Sequence, residues 1–188
     1  MYRHGLKRAI DVVGAAAALL LLSPLMLLIA VAIRIWDPGP VIFSQRRVGV
    51  GGRPFDFYKF RSMPVNTGDI PSHLVGDIRL TWIGRLIRRS NLDELPQLWN
   101  ILKGDMSLVG PRPPIPSQDE LIELRRRNGA LACRPGLTGW AQVNSYDGMS
   151  VAAKAEFDGE YARRLSFGRD ALIVLRTFGY LLKPPPKY

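Results

Sequence analysis

The chain has 188 residues, 47% of them apolar, with 26 Lys and Arg against 16 Asp and Glu and a formal net charge of +10. That length allows one ordinary domain plus a small appendage, and the charge calls for an anionic partner: a nucleic acid, an anionic membrane surface or phosphorylated substrates. A single cysteine, Cys133, excludes an internal disulfide and reads as a packing residue; with only two histidines, a Cys/His metal centre is excluded as well.

Residues 12–33 carry no charge. At about 1.5 Å per helical residue the run matches a hydrocarbon core of roughly 30 Å. It is too long for a signal-peptide core, and Ser23-Pro24 interrupts it instead of a cleavage site ending it. Arg3, Lys7 and Arg8 precede it; Arg34, Arg46 and Arg47 follow. Two arrangements stay open on the residues alone. A kinked spanning helix leaves one basic cluster on the outer side, against the positive-inside tendency. A helix that enters, breaks at Ser23-Pro24 and returns keeps both clusters on one face.

Residues 37–40 form a turn, 41–43 a short strand, and 49–52 a glycine turn. A second strand-like run covers residues 55–63, with Lys59 and Arg61 on one side. Basic residues among aromatics suit single-stranded nucleic acid, but the glycines of an RNA-recognition motif are missing. A phosphate-facing lysine or a solvated face fits equally. Residues 64–77 are polar and turn-rich, a mobile loop over a site. Leu80, Ile83, Leu86 and Ile87 mark an amphipathic helix, with Arg85, Arg88 and Arg89 on its other faces. It packs on the core or lies at a membrane surface.

Asp93 and Glu94 stand side by side before a helical pattern of Leu95, Leu98, Trp99 and Leu102. Pro96 fits a first turn. The bland reading is a helix cap with a dipole-matching neighbour. The functional reading is two carboxylates in an anion site, which require a metal or a reaction. Downstream, Gly110-Pro111-Arg112-Pro113-Pro114 fixes the backbone around Arg112; the alternative is a connection with an exposed arginine. Residues 119–127 form a charged surface helix. Residues 134–144 read as a turn and strand, with Gln142 and Asn144 on one face. Residues 152–164 form a helix with Phe157 and Tyr161 on a stripe beside Asp158. The apolar helix 171–182 is core or an interfacial face, and Pro184-Pro185-Pro186 ends it.

These blocks, taken together, resemble the monotopic phosphoglycosyl transferases, the bacterial sugar transferase family that begins lipid-linked glycan assembly. The resemblance rests on the membrane segment with Ser23-Pro24, Tyr58-Lys59-Phe60-Arg61-Ser62-Met63, Leu92-Asp93-Glu94-Leu95-Pro96-Gln97, Lys103-Gly104-Asp105-Met106-Ser107, Gly110-Pro111-Arg112-Pro113, and the stretch from Arg134 to Asn144. It covers nearly the whole chain and is similar to the small, core-only bacillosamine-phosphate transferases of N-glycosylation.

The resemblance implies an α+β fold. Residues 1–36 form a re-entrant membrane helix broken at Ser-Pro. Residues 37–188 form a compact, mostly helical catalytic domain with short β-strands and interfacial amphipathic helices, at the cytoplasmic face of the bacterial inner membrane. The implied reaction moves a sugar 1-phosphate from a UDP-sugar, an N-acetylated amino sugar in this reading, to undecaprenyl phosphate, releasing UMP. Asp93 is then the nucleophile, and Asp93 and Glu94 hold Mg²⁺, with Glu94 positioning the metal or handling a proton. Lys59, Arg88 and Arg112 contact phosphates, Arg112 with Pro111 at the nucleotide end; Gln142 and Asp158 make sugar or structural contacts. Membrane phospholipids are partners, nucleic acid is not, and a homodimer stays open. One departure leaves the sugar open: many members continue Gln-Val-Asn-Gly-Arg where this chain has Asn144-Ser145-Tyr146-Asp147-Gly148. The alternatives are a UDP-hexose donor and a non-enzymatic membrane module that binds nucleic acid or lipid.

Overall fold

The uncharged run becomes the middle of α1, Leu6–Trp36, a helix long and apolar enough to cross a membrane. The computed structural model describes residues 2, 5–65, 81–146 and 148–181. The Ser-Pro dipeptide does not split α1, which runs through Pro24 without interruption. Pro24 has no N–H to offer the Leu20 carbonyl four residues back, and Ser23 Oγ donates to that same oxygen at 2.9 Å. The hydroxyl supplies the hydrogen bond that the proline cannot. The expected break is therefore a proline inside a continuous helix.

Both ends of α1 are docked. Near its start, Arg8 donates to the Ile101 and Leu102 carbonyls at 2.6 and 2.9 Å, Asp11 accepts from the Leu108 amide at 3.0 Å, and Ala15 packs with Phe57, Leu98, Ile101 and Met106. Near its end, Ile29 and Ile33 pack with Phe60, Ile83 and Ile87, and Trp36 meets Trp82 edge to face. Between these contacts Leu20, Leu21, Leu27 and Leu28 are exposed.

Strands β1 (Ile42–Val48) and β2 (Pro54–Phe60) form an antiparallel hairpin. Cross-strand pairs Phe43–Lys59, Gln45–Phe57 and Arg47–Phe55 share one face. β1 is longer than the expected 41–43, because pairing carries Gln45, Arg46 and Arg47 into the strand. β2 stops at Phe60, so Arg61 is not a second strand-face cation: its guanidinium is buried against the Asp37 carbonyl and carboxylate. Past the far edge of β2, fully buried Asn100 imitates a third strand. Its Oδ1 accepts from the Tyr58 amide at 3.1 Å, and its Nδ2 donates to the Asp56 carbonyl at 2.6 Å. Asn100→Ala takes the side-chain partner from both part-buried backbone groups. We expect a loss of about 3 kcal/mol, read as a fall in the unfolding midpoint.

Helices α2 (Trp82–Arg89) and α3 (Gln97–Lys103) follow. Residues 66–80, with most of the expected loop and Leu80, lie outside the described residues. Of the expected apolar face of α2, Ile83 and Ile87 are buried while Leu86 is exposed. Trp99 is likewise 55% exposed, not on the core face. Covered by both α1 and β2, α3 turns Gln97, Leu98, Asn100 and Ile101 inward instead.

Strand β3 (Ser107–Val109) pairs in parallel with β4 (Gly136–Thr138). The chain crosses itself here with no room for side chains. A Cβ on Gly136 would meet the Gly110 amide nitrogen, and one on Gly139 the Gly110 carbonyl. That contact ends β4 early, so residues 134–144 do not continue as a strand: Trp140–Val143 is the short helix α5. Gln142 and Asn144 therefore do not share a strand face. Each folds back on local backbone, Gln142 Nε2 to the Leu137 carbonyl and Asn144 Nδ2 to that of Trp140.

Helices α4 (Asp119–Arg127), α6 (Val151–Arg163) and α7 (Phe167–Leu181) complete the domain. α7 begins four residues before the expected 171, because Ser166 Oγ accepts from the Arg169 amide. Ile173 is in the core with Val109, Cys133, Trp140 and Tyr161, while Leu175 and Phe178 face outward. Buried Asp170 accepts from Tyr2, Lys7 and Tyr161 at 2.6 to 2.8 Å, tying α7 and α6 to the start of α1.

Candidate functional site

Asp93 and Glu94 sit in a 3-10 turn, Leu92–Glu94, entered through left-handed Asn91 (φ 56°). They are not on the first turn of a long helix: α3 has seven residues, its cap position is Pro96, and no side chain caps it. Neither the turn nor α3 has a side-chain cap bond, so Asp93 does not act as a capping residue. Positive charge at the turn comes from side chains.

Those side chains arrive from three elements. The antiparallel register puts Lys59 on the inner face of β2, α2 supplies Arg88, and the strap of residues 110–114 after β3 supplies Arg112. The Arg112 guanidinium grips Glu94 with both terminal nitrogens, one at 3.2 Å. Among the described residues, Asp93 has no ion-pair partner within 4 Å although it is 7% exposed. Burial and the neighbouring Glu94 charge push Asp93 up to about 6, while Lys59, Arg112 and Arg88 pull the other way. Burial also works against ionised Glu94, but the Arg112 charge and hydrogen bonds outweigh it and hold Glu94 below its usual range. Burial lowers Lys59 against the pull of Asp93 and Glu94. The site therefore holds one carboxylate clamped by an arginine and another, in a cationic pocket, that has no ion-pair partner among the described residues.

Lys59, Arg88, Asp93, Glu94, Arg112 and Pro111, all marked from the sequence, are brought together at this turn and strap. Gln142 and Asp158 are not. Gln142 is turned onto its own backbone. Asp158 is buried behind the strap, bonded to Arg125 at 2.6 and 2.8 Å. Two arginines at this site were missed. Arg47, read as a membrane flank, adds charge beside Lys59, as their shared strand parity allows. Arg125 belongs to the helix read as surface, yet it is buried. Leu121 and Arg125, four residues apart, are the buried pair that a helical-face count of α4 offers as its inner side.

The model of the bacterial sugar transferase family matches residues 2–184. This chain belongs to the bacterial sugar transferase family. Within the family it is 43% identical over 186 residues to the UDP-N-acetylgalactosamine-undecaprenyl-phosphate N-acetylgalactosaminephosphotransferase of Aeromonas hydrophila, covering 94% of this chain and 44% of that protein. It is 42% identical over 191 residues to the UDP-glucose:undecaprenyl-phosphate glucose-1-phosphate transferase of Caulobacter vibrioides, covering 97% and 72%. The protein of that same name from Escherichia coli is 44% identical over 186 residues, covering 92% and 39%. The chain thus spans less than half the length of two of these relatives.

Among the described residues no group of three or more His, Cys, Asp or Glu side chains gathers to hold a metal. A dication would have two adjacent carboxylates, one of them without an ion-pair partner among the described residues. Mg²⁺ commonly takes one or two carboxylates and completes its shell with phosphate oxygens and water, so the donor set fits it.

Proposed function

We propose that this chain transfers a sugar 1-phosphate from a UDP-sugar to undecaprenyl phosphate, with Asp93 as the nucleophile. The observation that carries the reading is the buried Asp93 carboxylate among Lys59, Arg88 and Arg112, without an ion-pair partner among the described residues. Its family relatives' names support it. Two anionic substrates repel each other, so a carboxylate that splits the transfer into two steps lets the first anion leave before the second arrives. In the first step an Asp93 oxygen attacks the phosphorus bearing the sugar, and the bond to UMP breaks with its electrons on UMP. In the second, a phosphate oxygen of the polyprenol phosphate attacks that phosphorus and the Asp93–phosphorus bond breaks. The product is a polyprenyl diphosphosugar, and the carboxylate is regenerated. Lys59 and Arg88 neutralise charge on the transferring phosphoryl group, and Arg112 spans Glu94 and the nucleotide end. Mg²⁺, held by Asp93 and Glu94, would supply further charge neutralisation on the phosphate oxygens.

Both docked ends of α1 support a re-entrant anchor over a span. Arg8 and Asp11 at one end and Ile33 and Trp36 at the other contact one domain. A spanning helix would draw that domain through the bilayer. The exposed leucines between them enter one leaflet, and both basic flanks then face the cytoplasm.

The donor sugar is read as an N-acetylated amino sugar, with a hexose as the second reading. Relatives named for N-acetylgalactosamine and for glucose stand at 43% and 42% identity. The test is UMP release by purified protein in lipid discs, over a panel of UDP-sugars, with and without undecaprenyl phosphate. We expect Mg²⁺-dependent release from one donor class and near-complete loss with excess EDTA, restored by added Mg²⁺. Release that ignores EDTA would remove the metal from the proposal; silence across the panel would remove the reaction.

A further inference from the structure

The strap that carries Arg112 has three prolines in residues 111–114 and therefore almost no amides to bond with. Its carbonyls are held instead, all four in succession. The Pro111 carbonyl accepts from the Gly136 amide at 2.9 Å and the Pro114 carbonyl from the Val48 amide at 3.0 Å. The Arg112 carbonyl accepts from Arg125 Nη1 at 2.8 Å and the Pro113 carbonyl from Arg47 Nη1 at 3.1 Å. Two of the four donors are thus side chains. Arg125 uses its whole fork: Nε and Nη2 hold Asp158, and Nη1 holds the strap. Its side chain is 3% exposed and that of Asp158 is 1%.

A buried ion pair costs desolvation and adds little stability over apolar residues of equal size. Here it aims one nitrogen at the backbone of the residue whose own side chain grips Glu94. We propose that the Asp158–Arg125 pair is a positioning device for Arg112. It fixes the strap from behind so that the guanidinium meets Glu94 and the nucleotide end of the donor in one orientation, and Arg47 steadies the next carbonyl along. The proposal rests on the transfer reaction above for its kinetic effect, not for its structural one.

The test is the double variant Arg125→Met/Asp158→Leu in the full chain, which replaces the pair by apolar side chains and leaves the Arg112 carbonyl without its donor. A second variant, Arg125→Lys, keeps a charge for Asp158 but lacks the planar fork that serves both partners; it covers the case in which the double variant fails to fold. The first readout is hydrogen exchange in the peptide of residues 108–116, where the Gly110, Arg112 and Ile115 amides report. The second is the KM for the UDP-sugar against the KM for undecaprenyl phosphate. We expect faster exchange in that peptide alone and a donor KM raised about tenfold, with the polyprenol KM unchanged. Arg125→Lys should move both in the same direction by less. Wild-type exchange in the strap, or an unchanged donor KM with a lower kcat, in a folded variant would overturn the proposal. If the wild-type chain releases no UMP, the transfer reading fails by itself, and strap exchange alone still decides the clamp.

Discussion

Asp93→Asn is expected to lower UMP release by at least ~10³-fold at about pH 7.5, since the amide cannot form the phosphoryl bond. The same substitution is expected to raise the unfolding midpoint. Asp93 is buried, has no ion-pair partner among the described residues, and is pushed up to about 6 from 3.8. A carboxyl whose folded value lies above its unfolded one binds its proton more tightly when folded. It therefore costs stability where it is ionised, in full above about pH 6, and the cost fades as pH falls toward 4. A shift of that size corresponds to roughly 3 kcal/mol. The midpoint gain of the Asn variant should thus be present at about pH 7.5 and shrink on acidification. Calorimetry over that range, run beside the assay, checks both halves. Turnover retained in the variant would remove Asp93 as nucleophile, and a midpoint that falls would remove the strain argument.

Much of this site was legible because its parts carry their chemistry in short runs. Asp93-Glu94 stands out as two adjacent like charges, readable as a cap or as a site, with Arg88, Lys103 and Arg112 around it in sequence tipping the balance to a site. Pro111 and Pro113 advertise that Arg112 is held, and Lys59 lies in an alternating run whose parity survives folding. Helices α1, α4 and α6 follow from an uncharged run and helical spacing, with boundaries shifted by a residue or a turn where a cap decides. What was hidden depends on contacts between distant segments. The Leu121–Arg125 spacing offers an inner face of α4, but nothing near it says that the partner is Asp158, 33 residues on, or that the last nitrogen finds a proline strap. Trp99 matches the apolar stripe of α3, yet burial of Gln97 and Asn100 by β2 and α1 rotates it outward. The Gly110 contact with Gly136 and Gly139 ends a strand that the alternation of residues 140–144 would have continued.

Arg112→Ala and Glu94→Gln are expected to move the pH profile in opposite directions, the second large effect. In the wild type Arg112 draws Asp93 down and Glu94 pushes it up. Removing Arg112 takes away a cation and leaves Glu94 as an unpaired charge beside the nucleophile. The acid limb of kcat/KM should rise above about 6, and loss of one partner of a hydrogen-bonded charge pair, about 3 kcal/mol, corresponds to roughly a 100-fold loss at about pH 7.5. Glu94→Gln removes the like charge and frees Arg112 to act on Asp93 alone, so the limb should move down, toward the ordinary carboxylate range. Arg112→Lys restores the charge without the bidentate grip. It should return the limb most of the way while leaving much of the rate loss, because position and charge are then separated. Profiles of kcat/KM against pH for the three variants decide it. Limbs that move together, or not at all, would mean that Asp93 titrates independently of the Glu94–Arg112 pair, and the clamped carboxylate would then have a role other than tuning its neighbour.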